Sequence, residues 1–339
     1  MEHVCNAWWN QALAWRDFFL NMCISPIDAF YGERNPETGK RRVVFKRDQA
    51  TADLVNNWVT IPCGRCRECK IRKKREWALR CEHEASLHLE NTWLYLSYDD
   101  KHLPHRGSLC KPDLQKFLKD LRAWESYEAN VCRCGSRPQC FLGECPRRRN
   151  NYRHFKFFAC GEYGPSDGRP HYHVLLFGFA FPDQVRFAER DGKTVYNSDL
   201  LENRLWKKGF TEIGDVNFDS IAYCAKYVAK KDDRIDDAYR VAGYEPEFVN
   251  MSRRPGIGRR WFEQYGEEAL RNDSVLLKGR EVNVPRYYDA LYEVQEPEKI
   301  KAIKKERASR FDSDEMRSTR LLSRKKIVES KYHLFHGGA

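Results

Sequence analysis

The sequence lacks several features, and each absence narrows the classes of protein to which it can belong. No run of about 20 apolar residues occurs, so no membrane span is expected. The N-terminus has neither the basic start nor the small-residue cleavage site of a secretion signal, so we expect the chain to work in a reducing cytoplasm. No Gly-x-x-x-x-Gly-Lys-Ser/Thr loop occurs either, so the phosphate-binding loop typical of nucleotide-driven motors is missing.

Positive charge, by contrast, is in excess. The 339 residues include 60 lysines and arginines against 49 aspartates and glutamates, and the formal net charge is +11. This balance favours a polyanionic partner such as nucleic acid, although an ordinary basic soluble protein could have the same composition. In a reducing compartment, the 13 cysteines indicate metal ligands or inert thiols rather than disulfides.

The length of the chain suits two domains, or one large domain with appendages. We predict an N-terminal accessory segment at residues 1–60 and a main domain at 61–290. A highly charged C-terminal tail at 291–339 is expected to be a solvated helix or partly disordered. Within the main domain, the basic, cysteine-containing stretch at 131–150 has the composition of an insertion.

Two histidines stand at the start of a predicted buried strand, Pro170–Phe177. Because side chains alternate along a strand, His171 and His173 share one face. If residues 164–169 form a hairpin turn, Glu162 lies opposite His171, and the three side chains could ligate one Mg²⁺ or Mn²⁺ ion. A hydrogen-bonded histidine pair with no metal is the alternative interpretation.

Two tyrosines follow on a predicted helix. Tyr223 and Tyr227 are four residues apart, so their hydroxyls lie on one face, and Lys226 stands beside them. A tyrosine phenol is a weak nucleophile at neutral pH, but a neighbouring cation and a metal-polarised phosphate would activate it. The same spacing also occurs in an aromatic stripe that only packs in a core.

These motifs resemble those of a known family. His171-Tyr172-His173 is similar to the His-hydrophobe-His motif of the HUH endonucleases, and residues 223–227 resemble their paired-tyrosine motif. The chain is most similar to replication initiation proteins of microvirus single-stranded DNA phages, the gokushovirus-like group in particular. Four further stretches fit that group: Pro62-Cys63-Gly64-Arg65-Cys66, Tyr95-Leu96-Ser97-Tyr98-Asp99-Asp100, Cys160-Gly161-Glu162-Tyr163-Gly164 and Pro285-Arg286-Tyr287-Tyr288.

The resemblance implies an α+β fold in which a central antiparallel sheet carries the His-x-His motif and helices cover its faces. It also implies an enzyme that nicks single-stranded origin DNA during rolling-circle replication, through a 5′-phosphotyrosyl intermediate. His171 and His173 would then be metal ligands with Glu162 as the third, and Tyr223 and Tyr227 would be the nucleophiles, assisted by Lys226. Host DNA polymerase and helicase would be partners, in the cytoplasm of a bacterial host cell.

Cysteines form two groups with metal-ligand spacing. The first comprises Cys63, Cys66 and Cys69, with Cys81 as a candidate fourth ligand. The second comprises Cys132, Cys134, Cys140 and Cys145, four cysteines within fourteen residues. Zinc is the predicted occupant of the second group. For the first group, zinc, an iron–sulfur cluster and buried metal-free thiols all remain open.

Two basic stretches could contact DNA. Arg72, Lys73 and Arg75 lie on a predicted helix that follows the first cysteine group, and Arg253, Arg254, Arg259 and Arg260 flank the glycines of a loop. A solvated helix face and a plain surface loop are the respective alternatives. For the whole chain, a plasmid relaxase or a tyrosine transposase also fits the motifs, and the rival from another class is a non-catalytic zinc-containing nucleic-acid-binding protein.

Overall fold

Strands and helices both contribute to the structure, a computed structural model that describes residues 23–34, 41–45, 58–130, 155–190, 192–230, 233–309 and 318–336. Its strands are β1 (Ile27–Arg34), β2 (Arg41–Val44), β3 (Trp58–Ile61), β4 (Asn91–Ser97), β5 (Lys156–Tyr163), β6 (Pro170–Phe177), β7 (Val185–Arg190), β8 (Lys193–Asn197), β9 (Thr211–Asp215), β10 (Phe248–Met251), β11 (Ser274–Leu277) and β12 (Arg280–Asn283). Its helices are α1 (Arg67–Ala85), α2 (Lys111–Asn130), α3 (Phe218–Lys230), α4 (Asp233–Val241), α5 (Arg259–Arg271), α6 (Arg286–Gln295), α7 (Pro297–Ser309) and α8 (Ser318–His336).

The chain divides into two compact units, Met1–Lys73 with Ala290–Ala339, and Lys74–Asp289. The first unit contains a three-stranded antiparallel sheet of order β2-β1-β3, and its C-terminal part contains α7 and α8. The three domains predicted from the sequence stay a prediction. Residues 131–150, with the second cysteine group, lie outside the described residues.

A seven-stranded antiparallel sheet dominates the second unit, and its strand order is β10-β5-β6-β4-β9-β8-β7. Strand β6, with the two histidines, lies inside this sheet between β5 and β4. The predicted α+β class with a large antiparallel sheet is therefore confirmed. In the part of the chain that the structure describes, no helix is both long enough and apolar enough to cross a membrane.

One face of the sheet packs against α2. Helix α2 presents a stripe at i, i+3, i+4 and i+7, and alternate strand residues meet it. The main apolar contacts of this layer come from Leu114, Phe117, Leu118, Leu121, Leu94, Leu96, Val174 and Leu176. Each fully buried side chain of this size stabilises the fold by about 1.5–3 kcal/mol, so this layer fixes the strands. The side chains between them, including both histidines, point to the opposite face.

Strands β5 and β6 form the hairpin predicted from the sequence. Its register pairs Glu162 with His171, as the turn position predicts. The Gly164 N–H donates to the Arg169 carbonyl across the turn at 2.9 Å, and Gly168 has a left-handed φ of 64°, which glycine adopts without strain. The hairpin therefore brings the carboxylate and the histidines to the same end of the sheet.

Helix α3, with the two tyrosines, contacts β10, β5 and β6 at one edge of the sheet. Asp219 and Ser220 are residue types that often cap a helix, but neither is the N-cap here. The helix begins at Phe218, and the side-chain oxygen of Asn217 accepts hydrogen bonds from the N–H groups of Asp219 and Ser220 at 2.9 and 3.0 Å. Asparagine is as good an N-cap as aspartate or serine, so composition alone did not identify the first turn.

Candidate active site

Three buried side chains meet on the face of the sheet opposite α2. His171 Nε2 lies 3.0 Å and His173 Nε2 2.7 Å from the same carboxylate oxygen, Oε1 of Glu162. All three residues are less than 8% exposed. The strands fix this arrangement, because His171 and His173 alternate on β6 and Glu162 is the cross-strand partner of His171 on β5.

A tyrosine from α3 joins the same oxygen. The Tyr223 hydroxyl donates to Glu162 Oε1 at 2.8 Å, and its ring lies edge-on to His173, with centroids 4.7 Å apart. Tyr227 lies one turn further along the helix, with its ring stacked 6.4 Å from the His173 ring. The Tyr227 hydroxyl is buried and has no hydrogen-bond partner among the described residues.

The protonation of this cluster follows from its burial and its hydrogen bonds. Burial alone would raise the pKa of Glu162, but hydrogen bonds from His171, His173 and Tyr223 lower it well below its usual range. Burial lowers the pKa of His173 despite the attraction of Glu162. Burial and the charge of Glu162 together raise the pKa of Tyr223 far above 10. The cluster therefore contains an ionised carboxylate and a protonated phenol.

Two lysines border the tyrosines. Lys226 Nζ lies 3.4 Å from the centroid of the Tyr223 ring and 4.7 Å from that of Tyr227. Lys230 Nζ is 4.6 Å from the Tyr227 centroid and 3.9 Å from Glu162 Oε2, and it forms an ion pair with Glu247 at 3.3 Å. Two ammonium groups thus place positive charge beside the tyrosine rings and the carboxylate.

Aromatic side chains of β4 pack against the two histidines, and these residues were not predicted as part of the site. The Tyr95 ring lies 5.1 and 5.5 Å from the rings of His171 and His173, and the Trp93 ring is stacked 5.6 Å from His173. Tyr95 is the cross-strand partner of His173. The alternation of β4 could have indicated that Trp93 and Tyr95 share one face, but not that β4 is the neighbour of β6.

The donor set fits a divalent metal ion. The ligand atoms of Glu162, His171 and His173 all lie within 4.8 Å of one another, and adjacent ligands around an ion at about 2.1 Å are about 3.0 Å apart. His171 Nδ1 lies 3.1 Å from the Arg169 carbonyl, which fixes its proton on that nitrogen. In a neutral ring, Nε2 would then turn a lone pair towards the Glu162 carboxylate. A proton or a metal cation is needed between two such acceptors.

Comparison with known proteins places this cluster in a family. A family model of replication-associated proteins of the ORF2 type matches residues 91–232, the segment from β4 to just beyond α3 that contains the whole cluster. Replication-associated protein VP4 of Bdellovibrio phage phiMH2K is 31% identical over 280 residues, which cover 82% of this chain and 79% of VP4. The chain belongs to the family of phage replication-associated proteins.

Two further relatives agree with this membership. Replication-associated protein ORF2 of Spiroplasma virus 4 is 28% identical over 284 residues, 79% of each chain. Replication-associated protein ORF4 of Chlamydia phage 1 is 26% identical over 243 residues, 68% of this chain and 53% of its own length. No solved structure matches the chain. The resemblance to microvirus replication proteins drawn from the sequence motifs is thereby confirmed.

The first cysteine group of this replication-associated protein has a different fourth member from the one predicted. The sulfur atoms of Cys23, Cys63, Cys66 and Cys69 all lie within 4.8 Å of one another. Cys81 is not in the group, because it lies twelve residues beyond Cys69 on the same helix, about 18 Å of helical rise. No local pattern indicated Cys23, because it is forty residues away from Cys63 along the chain.

The predicted DNA-binding residues lie at several places. Arg72, Lys73 and Arg75 are on α1, where Lys73 is exposed and Arg72 Nη2 is 3.9 Å from Cys69 Sγ. Arg253 and Arg254 are exposed and line a shallow groove with Arg122 and Phe157. Arg259 and Arg260 open α5, and Arg259 pairs with Glu263 at 2.8 Å. Their contact with DNA stays a prediction.

Proposed function

We propose that this replication-associated protein starts rolling-circle replication by nicking single-stranded origin DNA through a tyrosine hydroxyl, as an endonuclease of the HUH type. Tyr223 and Tyr227 are the two nucleophiles in this scheme. One cuts at the origin and leaves a free 3′-hydroxyl for a polymerase, and the other acts after one round of copying to release a circular strand. Membership of the family supports a role in replication, and the buried cluster supports this chemistry.

The observation that supports this proposal best is the set of contacts around one carboxylate oxygen. Nε2 of both histidines and the hydroxyl of Tyr223 all meet Oε1 of Glu162 within 3.0 Å. The two histidines that could hold a cation and the hydroxyl of Tyr223 therefore contact the same atom. A buried tyrosine hydroxyl normally finds a hydrogen-bond partner, and the partner of Tyr223 is a carboxylate oxygen that two histidines also contact.

The cutting step is a transesterification. The tyrosine oxygen attacks the phosphorus of one phosphodiester, and a bond between them forms while the bond from phosphorus to the 3′ oxygen breaks. The phenolic proton is lost, and the 3′ oxygen takes up a proton to become a hydroxyl. Because the phosphotyrosyl link is itself a phosphodiester, a 3′-hydroxyl can later reverse the step and join strands without another energy source.

His171, His173 and Glu162 are the residues that we assign to a divalent cation, Mg²⁺ or Mn²⁺. When bound, such a cation supplies positive charge to a phosphate oxygen as negative charge develops there. Within the chain itself, the hydrogen bond to Glu162 holds the Tyr223 oxygen beside the cluster, and burial with the charge of Glu162 raises the pKa of the phenol and keeps it protonated. Tyr223 is therefore positioned for attack but stays unreactive in this arrangement.

Lys226 is the residue that we assign to assist the tyrosines or the scissile phosphate. Its ammonium group lies over both rings, and a cation beside a phenol favours the phenolate. Lys230, half exposed between Glu162 and Glu247, is a second cation at the same place. The two lysines also offset the charge of the phosphate that enters the pocket.

The proposed substrate and partners follow from this activity. Single-stranded DNA at a replication origin is the substrate, and the exposed arginines of the Arg253–Arg254 groove are the surface that we assign to its phosphates. A host polymerase would extend the 3′-hydroxyl, and a host helicase would unwind the duplex, in the cytoplasm of the bacterial host cell.

A covalent-adduct assay tests the proposal. End-labelled single-stranded DNA from the cognate genome is incubated with the purified protein and Mn²⁺, and the products are separated on a denaturing gel. We expect a protein-sized band that retains label on the 3′ side of the cut, disappears in EDTA and is absent when Tyr223 and Tyr227 are both changed to Phe. DNA affinity of that double variant should stay within a few-fold of wild type. Tight binding without an adduct, across several metals and origin fragments, would instead support the non-catalytic zinc-containing nucleic-acid-binding protein.

A further inference from the structure

Four cysteines from separate parts of the N-terminal chain meet at one point. Cys23 precedes β1, Cys63 and Cys66 follow β3, and Cys69 is in the first turn of α1. Cys23 Sγ lies 3.5 Å from Cys63 Sγ and 3.7 Å from Cys66 Sγ. These separations are far longer than the sulfur–sulfur bond of a disulfide, about 2.05 Å, and all four thiols are free.

The spacing of the sulfur atoms matches a single tetrahedral ion. Four thiolates at about 2.3 Å from zinc lie about 3.8 Å from one another along the edges of the tetrahedron. Two pairs of this group are 3.5 and 3.7 Å apart, and no pair exceeds 4.8 Å. A multi-iron cluster has several irons and sulfides between its thiolates and needs a wider ligand set.

The backbone around the group is arranged for thiolates. The N–H groups of Arg65 and Cys66 donate to Cys63 Sγ at 3.4 and 3.2 Å, and the N–H of Cys63 donates to Cys23 Sγ at 3.3 Å. Gly64 makes this turn possible because its φ is 72°, in the left-handed region. Amide donors directed at sulfur stabilise negative charge there.

The start of α1 adds to this effect. The Cys66 carbonyl accepts the first helical hydrogen bond, from the Lys70 N–H at 2.9 Å, so Cys66 occupies the N-cap position. The positive end of the helix dipole therefore lies at two of the sulfur atoms, those of Cys66 and Cys69. Arg72 adds a guanidinium group 3.9 Å from Cys69 Sγ.

Few apolar side chains are buried among the described residues around this group. Among the described residues from 23 to 73, the buried apolar side chains are Cys23, Ala29, Val44 and Cys69. Two of these four are members of the cysteine group itself. Where so few apolar side chains are buried, a metal cross-link adds stability that a small core does not supply.

We propose that Cys23, Cys63, Cys66 and Cys69 hold one structural Zn²⁺ ion. The ion ties the segment before β1 to the end of β3 and the start of α1, and so fixes the small sheet. Tetrathiolate zinc sites have no open position for water, so this site has a structural role. It shares no residue with the proposed nicking site, and the two proposals can fail independently.

Metal analysis of matched variants tests this proposal. The full-length chain, purified without a metal-affinity tag, is compared with Cys23→Ser and with Cys81→Ala, which removes the buried cysteine first predicted as the fourth ligand. We expect Cys23→Ser to lose one equivalent of zinc relative to wild type and Cys81→Ala to lose none. The zinc X-ray absorption spectrum of wild type minus that of Cys23→Ser should show four sulfur neighbours at about 2.3 Å. Equal zinc in wild type and Cys23→Ser, or one equivalent of iron in place of zinc, would overturn the proposal.

Differential alkylation of the wild-type protein gives a test that does not depend on the folding of a variant. The native protein is treated with iodoacetamide with and without prior removal of metal by a chelator, and each cysteine is quantified by mass spectrometry. Cys63 and Cys66 should be alkylated at least tenfold more slowly before the chelator than after it. Cys110 is the control, because it is half-buried like Cys63 and Cys66 but lies outside the group. Equal alkylation of Cys63 and Cys66 in the two states would contradict the site.

Discussion

At the scale of single residues, Glu162 contacts more of the candidate site than either tyrosine does. Two imidazole nitrogens and a phenol hydroxyl contact its Oε1 atom, and burial together with the charge of Glu162 raises the pKa of Tyr223. Tyr223 and Tyr227 are one helical turn apart, but their hydroxyls are in different surroundings. Tyr223 reaches the carboxylate, whereas the Tyr227 hydroxyl has no hydrogen-bond partner among the described residues. The two tyrosines are therefore not equivalent before DNA binds.

The inequality predicts which tyrosine cuts first. Tyr223→Phe should lower the initial rate of adduct formation on origin DNA by at least about tenfold, because it removes the hydroxyl already beside the cluster. Tyr227→Phe serves as the matched control, since it removes the same atom from the same face, and it should leave the first cut within a few-fold of wild type. The rate is measured as the adduct formed in single turnover. A larger loss in Tyr227→Phe would reverse the assignment.

At the scale of elements, local features could be predicted from the sequence, but contacts between distant segments could not. The stripe of α2, the hairpin of β5 and β6 and the opposition of Glu162 to His171 all follow from local periodicity and turn position. Tyr95 could not be found in this way, because it joins its site through the pairing of β4 with β6. Cys23 could not be found either, because it contacts Cys63, which is 40 residues away in the sequence. Periodicity reports which residues share a face, but not which strand is the neighbour.

A cluster of stacked rings connects three helices, and a histidine within it predicts that stability depends on pH. The His83 ring of α1 stacks on Trp261 of α5 and on Tyr288 of α6, with ring centroids 3.5 and 5.8 Å away, and its Nδ1 is 2.9 Å from the Tyr288 hydroxyl. Burial lowers the pKa of His83 to about 3 from 6.5. Because the unfolded chain binds this proton more readily, the stabilisation is complete above pH 6.5 and is lost as the pH falls towards 3. The slope is up to about 1.4 kcal/mol per pH unit.

Chemical unfolding between pH 7 and pH 4 measures this effect, if the transition of the Lys74–Asp289 unit is followed. The free energy of unfolding of wild type should fall more steeply with acidity than that of His83→Gln, by about 1 kcal/mol per pH unit. His105→Gln, the same change at an exposed turn, should retain the slope of wild type. Parallel curves for wild type and His83→Gln would show that His83 is protonated equally in both states.

At the scale of the whole molecule, the net charge of +11 attracts DNA without specifying where it binds. Local placement has to supply the path. Arg253 and Arg254 are exposed beside a groove that also contains Arg122, whereas many other cations lie on α7 and α8. If the overall positive charge binds DNA, the loss of any two charges should weaken binding. If the groove binds DNA, only the loss of its own arginines should.

The salt dependence of DNA affinity separates these two cases. Replacing Arg253 and Arg254 by Gln should lower the slope of log affinity against log salt by about 1.4, because each lost phosphate contact on single-stranded DNA contributes about 0.7. Lys301→Gln with Lys305→Gln removes the same charge from exposed positions of α7 and should leave the slope unchanged. Equal effects of the two double variants would assign binding to the overall positive charge.

Identification of the residue joined to DNA tests directly whether a tyrosine of α3 is the nucleophile. The covalent adduct is trapped, the DNA is trimmed by nuclease, and the protein is digested with trypsin. Cleavage after Lys226 separates the two candidates, because Tyr223 lies in the peptide 209–226 and Tyr227 in the peptide 227–230. We predict a 5′-phosphonucleotide on Tyr223 after the first cut, found by mass spectrometry. A nucleotide on a residue outside α3, or a DNA-binding protein that never acquires one, would contradict the account.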